Sequence, residues 1–116
     1  MKTIGDVIFD IPYESGNIGR LYLDNDYGIY VLEKRLDEVY VEYHLTFLHK
    51  LNEEAWTTDM DSNMISISEN NHIIVNSISD VNSYIQQLES IPGPVKPEPV
   101  IYETTSSSGS GGSEGI

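Results

Sequence analysis

Val39-Tyr40-Val41-Glu42-Tyr43-His44-Leu45-Thr46-Phe47-Leu48 decides how this chain is read. Val39, Val41, Tyr43, Leu45 and Phe47 fall on one parity, and Tyr40, Glu42, His44, Thr46 and Leu48 on the other. Successive side chains of a strand point to opposite faces, so β-branched and aromatic residues at period two mark a half-buried strand. The stretch predicts the central strand of an antiparallel sheet, dry on one face and partly wet on the other. Val41, Tyr43, Leu45 and Phe47 are its inward set. A helical reading of the second half would instead group Leu45, Leu48 and Trp56; the strand fits more of the residues.

Working toward the N-terminus, Arg20-Leu21-Tyr22-Leu23 and Ile29-Tyr30-Val31-Leu32-Glu33 read as two strands joined by Asp24-Asn25-Asp26-Tyr27-Gly28. Asp, Asn and Gly supply the local hydrogen bonds and positive φ of a tight reversal. Lys34-Arg35-Leu36-Asp37 turns the chain into the central strand, completing a meander. Val7-Ile8-Phe9 predicts a short first strand ended by Asp10 and Pro12. Pro12 to Gly19 is rich in turn residues and reads as a surface loop. Its glycines lack the spacing, the Lys-Ser or Lys-Thr and the following helix of a phosphate-binding loop.

Toward the C-terminus, Leu51 to Trp56 reads as a helical turn with Trp56 capping the sheet edge. Met64-Ile65-Ser66-Ile67-Ser68 and His72-Ile73-Ile74-Val75 form a second hairpin across Glu69-Asn70-Asn71. Ser77 fits a helix N-cap, with Asp80 three residues on. Ile78, Val81, Tyr84, Ile85 and Leu88 share one face of that helix; Asn82, Gln86, Gln87 and Glu89 share the other. Pro92-Gly93-Pro94 stops it. About three turns are marginal alone in water, so the apolar face must pack on the sheet. The expected fold is α+β: an antiparallel β-meander of about five to six strands with one C-terminal amphipathic helix on one face, then an extended Pro/Gly/Ser-rich tail.

The chain divides into a compact acidic domain, 1–91, and a tail, 92–116. Pro92, Pro94, Pro97 and Pro99 favour an extended strap. Val100-Ile101-Tyr102 is an apolar island after it, and Thr104 to Gly115 has nothing to bury. At 116 residues the chain holds a single modest core. Its 19 acids against 6 bases give a net charge of −13, a field that repels phosphate backbones and anionic lipid. Neither direct nucleic-acid binding nor membrane binding is expected; the favoured partner is a protein with a basic surface. No cysteine is present, which fits a reducing cytoplasm, bacterial or host, with virion association as a second location. The first nine residues do not read as a signal peptide, and no stretch reads as a membrane span.

Chemical motifs are weak. Asp59-Met60-Asp61-Ser62-Asn63 matches the first half of a calcium loop, but Met64 stands at the turn-glycine position and Asn70 at the closing-glutamate position. Asp24-Asn25-Asp26 is explained by hairpin chemistry. His44, His49 and His72 have no fixed ligand spacing, although two could converge across neighbouring strands. The serines lie in no nucleophile elbow. Glu53-Glu54 and Asp37-Glu38 read as hydrated surface acids with nothing to raise a pKa. No catalytic residue, metal ligand or cofactor is assigned, and an enzyme is not expected.

Tyrosine is the compositional anomaly, at 8 against 2 Phe and 1 Trp. Tyr22, Tyr30 and Tyr40 would line the sheet face opposite Leu21, Leu23, Val31 and Val41, ringed by Asp24, Asp26, Glu33, Glu38 and Glu42. Tyr suits such a face because its ring is apolar and its tip polar. With Ile101 and Tyr102 of the tail, Tyr22, Tyr30, Tyr40 and these five acids are the candidate partner-binding residues. The expected function is a non-enzymatic protein-binding module, an inhibitor or decoy of the phage or mobile-element kind, that occupies a basic, nucleic-acid-binding surface. The alternative is an accessory subunit of a virion or complex that works through its C-terminal arm.

Overall fold

The computed structural model describes residues 1–14 and 16–94. Six strands form one antiparallel sheet: β1 (Ile8–Tyr13), β2 (Gly16–Tyr22), β3 (Tyr27–Arg35), β4 (Val41–Asn52), β5 (Ala55–Thr57) and β6 (His72–Val75). The first five follow chain order, and β6 also pairs with β4. The predicted central strand is therefore β4, and its length explains how it holds three neighbours. One edge pairs with β3 from Tyr27↔His49 to Arg35↔Val41. The other edge is divided: β6 lies against Tyr43 to Thr46, and β5 against His49 to Asn52.

Alternation sorts the strands into two faces. On the inner face Leu21, Ile29, Val31, Tyr43, Leu45 and Phe47 are buried. They meet Val81, Ile85 and Leu88 of helix α2 (Ile78–Ser90), all three fully buried. Ser77 caps α2 as its position predicts, its hydroxyl accepting from the Asp80 amide at 3.1 Å. Ile78, at the first position of α2, departs from the predicted buried face and is 52% exposed. The polar side of α2 is not idle: Asn82 and Glu89 accept from the backbone amides of Ile4 and Lys2, pinning the N-terminal segment along the helix.

Several local predictions are corrected. Pro12 to Gly19 is not a loop but the heart of a hairpin, with Tyr13↔Gly16 closing it and Glu14 at φ 45° in the turn. Pro12 is tolerated because β1 is an edge strand, where a missing amide donor costs no ladder bond. Gly16 and Gly19 mark close approach: a Cβ at Gly16 would collide with the Glu33 carbonyl, and one at Gly19 with the Val7 side chain. Leu51 to Trp56 continues β4 into a tight reversal and β5 rather than coiling.

Met64 to Ser68 is not a strand, so β6 has no hairpin partner there. A single-turn helix α1 (Ser62–Ile65) replaces it, because Asp61 caps that turn by accepting from the Met64 amide at 2.9 Å and so places Met64 in the core. Val39 and Tyr40 lie outside β4. The carboxylate of Asp37 accepts from both their amides, holding a turn that leaves them 81% and 62% exposed.

Residues 92–94 are tied to the body. Asn63 Nδ2 donates to the carbonyls of Pro92 and Gly93, and Asn25 Nδ2 to those of Leu88, Glu89 and Ile91. The predicted strap beyond Pro94, the apolar island and the Ser/Gly run lie outside the described residues. Among the described residues no helix is long and apolar enough to cross a membrane.

Candidate protein-binding face

The second face of the sheet leaves a group of apolar side chains open. Register brings its residues into rows running across the strands. Tyr22, Gly28 and Leu48 form the first row. Ile8, Arg20, Tyr30, Thr46 and His72 form the second, and Ile11, Ile18, Leu32, His44 and Ile74 the third. Tyr13, Gly16, Lys34 and Glu42 close the far end. Among the described residues α1, α2 and the N-terminal turn all pack on the inner face. The outer face is thus left open, with Ile8, Ile11, Tyr13, Tyr22 and Ile74 exposed. At its centre is a shallow depression of about 220 Å³ lined by Ile18, Tyr30, Leu32, His44, Thr46 and His72.

The aromatic groups on this face are held in place. Tyr22 packs on Trp56 of β5 with ring centres 4.7 Å apart, and the two rings cover Gly28 and Leu48. A Cβ at position 28 would stand 3.2 Å from the Tyr22 ring and 3.3 Å from the Trp56 ring, so both would have to give way by a few tenths of an ångström. Tyr30 hydrogen-bonds to the Tyr22 side chain, and that bond together with burial holds its hydroxyl above the ordinary value of 10.0. His44 and His72 converge across β4 and β6 with ring centres 5.7 Å apart. His44 Nε2 lies 3.1 Å from Glu42 Oε1, and Thr46 Oγ1 is 3.4 Å from His72 Nδ1. Among the described residues no three His, Asp or Glu side chains gather into a metal-binding group.

Charge is distributed unevenly. The outer face holds Arg20, Lys34 and Lys50, half of the chain's 6 cations. Arg20 pairs with Asp10 at 2.6 Å and Lys50 with Glu53 at 3.4 Å. Asp10 and Glu42 share the strands with these cations, and further acids stand in the reversals at the two ends. Asp24, Asp26, Glu53 and Glu54 lie beyond the Tyr22–Leu48 row; Glu14, Asp37 and Glu38 lie beyond the Lys34–Glu42 row. An apolar centre is therefore bounded at both ends by acidic turns.

Set against the predicted site, Tyr22, Tyr30 and Glu42 come together on the outer face, with Asp24, Asp26 and Glu38 at its ends. Glu33 does not join them: it projects to the other side of the sheet opposite Tyr43, whose hydroxyl burial and the Glu33 charge push up. Tyr40 leaves the sheet with the β3–β4 turn. Ile101 and Tyr102 lie outside the described residues. The prediction missed Ile11, Ile18, Leu32, His44, His72 and Ile74. Leu32 and His44 carried a signal, sharing parity with Tyr30 and Glu42; Ile18 shares parity with Tyr22 but stood in the stretch read as a loop, and Ile11, His72 and Ile74 depended on pairings of β1 and β6 that local pattern does not specify.

The incomplete calcium loop has another use. Asp61 caps α1 with one carboxylate oxygen and accepts from the buried Tyr27 hydroxyl at 2.6 Å with the other. Burial first, and this bond second, push the Tyr27 hydroxyl well above its ordinary value. No family model, curated protein or solved structure matches this chain.

Proposed function

We propose that this is a non-enzymatic protein-binding module whose contact surface is the outer sheet face. The observation that carries the reading is the arrangement of that face: half-open aromatic and aliphatic side chains at the centre, acidic turns at both ends. Interfaces bury an apolar, aromatic-rich core inside a polar rim. The partner that fits is a protein with an apolar contact patch flanked by Lys and Arg. A surface that binds a nucleic-acid backbone has such cations, so a module seated on it acts as an inhibitor or decoy of the phage or mobile-element kind. Charge at the ends steers encounter and sets salt sensitivity, while the centre sets how long the complex lasts.

The accessory-subunit reading retains one supporting observation. The last described residues are fixed to the body, since Asn63 and Asn25 hold the backbone at Ile91, Pro92 and Gly93. An arm with a defined origin can lie along a neighbour.

The test is affinity capture with three full-length baits: the native chain, Tyr30→Ser/Leu32→Ser, and Asp24→Asn/Asp26→Asn/Glu38→Gln. The captured protein is then purified and titrated at rising salt. The reading requires a basic partner, at least tenfold weaker binding for the face variant, and a shallower salt dependence for the turn variant. A partner held equally by all three baits would contradict it.

A further inference from the structure

Sheet edges expose unpaired backbone groups and are commonly blunted by proline, bulges, charge or shortness. On one side β1 carries Pro12 and an irregularity between Phe9 and Ile11. On the other, β5 is three residues long and follows the Glu53-Glu54 reversal. β6, His72-Ile73-Ile74-Val75, has no proline, bulge, Lys, Arg, Asp or Glu, and among the described residues it pairs with β4 alone. We propose that the free edge of β6 docks an extended, basic segment of another protein, which joins the sheet as a further strand antiparallel to β6. The site does not depend on what occupies the outer face.

Register fixes which backbone groups face outward. In an antiparallel pair, opposite residues alternate between those that exchange both backbone bonds and those that exchange none. Phe47 N donates to Asn71 O at 2.8 Å, so Phe47 and Asn71 are a bonded pair. Leu45↔Ile73 and Tyr43↔Val75 are then bonded as well, whereas Thr46↔His72 and His44↔Ile74 are not. The amides and carbonyls of His72 and Ile74 therefore point away from β4. Among the described residues nothing takes them up. A strand laid there gains a ladder of main-chain bonds, the way extended peptides add to sheet edges. Its side chains meet His72 and Ile74 on one face and the half-buried Ile73 and Val75 on the other. The segment must therefore alternate, with apolar residues toward Ile73 and Val75.

Charge selects the kind of segment. From Leu51 to Pro94 the chain has no Lys or Arg. Glu69 stands three residues before β6, and Asp80 lies in the first turn of α2 after it. Among the described residues neither carboxylate enters an ion pair. A depression of about 260 Å³ at the Val75 end is lined by Glu42, Ile74, Val75, Asn76 and Asp80. Glu42 is already engaged by His44, which leaves Asp80 to meet a Lys or Arg whose stem lies along Ile74. Both ends of the edge are thus negative. A second copy of β6 is a poor occupant, because antiparallel pairing would set Glu69 of each chain near Asp80 of the other.

The probe is a capped Lys-Val-Lys-Val-Lys peptide added to the nitrogen-15 full chain, with Glu-Val-Glu-Val-Glu as its counterpart. In the free chain, amide exchange is expected to be fast at His72 and Ile74 and slow at Ile73 and Val75. The lysine peptide must shift the His72 and Ile74 amides saturably and slow their exchange, and the glutamate peptide must bind at least about tenfold more weakly. Of the two alternately N-methylated forms of the lysine peptide, one must lose binding and the other keep it, since only one set of amides faces β6. Glu69→Gln/Asp80→Asn must weaken the lysine peptide at least about threefold. Protection of His72 and Ile74 in the free chain would overturn the proposal; if lost on dilution it marks a second copy, and if kept it marks the chain's own tail. Equal binding of the two peptides, shifts centred elsewhere, or no binding of either would overturn it too. Tyr30→Ser/Leu32→Ser must leave the affinity for the lysine peptide unchanged. Loss of partner capture by that variant and failure of the edge are therefore read separately.

Discussion

At residue scale, the side chains that decide the fold are those asked to do two things at once. Asp61 caps α1 and receives the Tyr27 hydroxyl, so one short acidic residue fixes a helix start and satisfies a buried phenol. Tyr27→Phe removes a hydrogen bond to a charged group and is expected to cost about 1–3 kcal/mol, read as a lower denaturant midpoint with an unchanged slope. The same occupancy bears on metals: with both Asp61 oxygens engaged, calcium or EDTA is expected to leave the melting temperature unmoved, and a calcium-dependent rise would contradict that assignment. Phe47 is fully buried between the sheet and Tyr84 of α2. Phe47→Ala is expected to cost about 3–5 kcal/mol, a large share of the stability of a domain this size; a cost below about 1 kcal/mol would mean the core closes elsewhere.

Among the elements, those with strong local signals were legible and those fixed by distant partners were not. β4 and α2 could be read because period-two and period-3.6 patterns are set by their own residues, and Ser77 announces where α2 begins. The β2–β3 hairpin was legible from Asp24, Asn25 and Gly28. Pro12, Gly16 and Gly19 misled because Pro and Gly usually punctuate; here Pro12 sits on a sheet edge and the glycines admit the Glu33 carbonyl and the Val7 side chain. Met64 to Ser68 alternates as a strand does, yet a cap from Asp61 and a bond to Tyr27, 34 positions away, override that alternation. Only half of the outer face could be seen for the same reason, since β6 supplies His72 and Ile74 through pairing with β4. The β3–β4 turn has its own pH dependence. Backbone bonds from Tyr40 and Val39 hold the Asp37 carboxyl below its ordinary value of 3.8. A lowered folded value stabilises the turn above pH 3.8 and loses that support as pH falls below it. Amide exchange at Val39 and Tyr40 is therefore expected to accelerate in that acid range before exchange at Leu45 does.

For the whole molecule, the opposite limit of pH tests the burial pattern. Tyr27, Tyr30 and Tyr43 all have hydroxyls held above 10.0, the first and last chiefly by burial and Tyr30 chiefly by its bond to Tyr22. A raised folded value gives stability that is complete below pH 10.0 and is lost as pH rises past it toward the folded values. Unfolding midpoints are expected to fall above pH 10.0, and Tyr27→Phe is expected to flatten that fall. Function also belongs to this scale, because the outer face exists only once five strands are in register, and its acidic ends are contributed by four separate reversals. The most direct measurement is amide hydrogen exchange across the domain, free and bound to whatever protein the affinity capture yields. The account predicts slowed exchange at Ile18, Tyr30, Leu32 and His44, with α2 unchanged. Protection confined to α2 and the N-terminal segment, with the outer face exchanging as in the free chain, would contradict it.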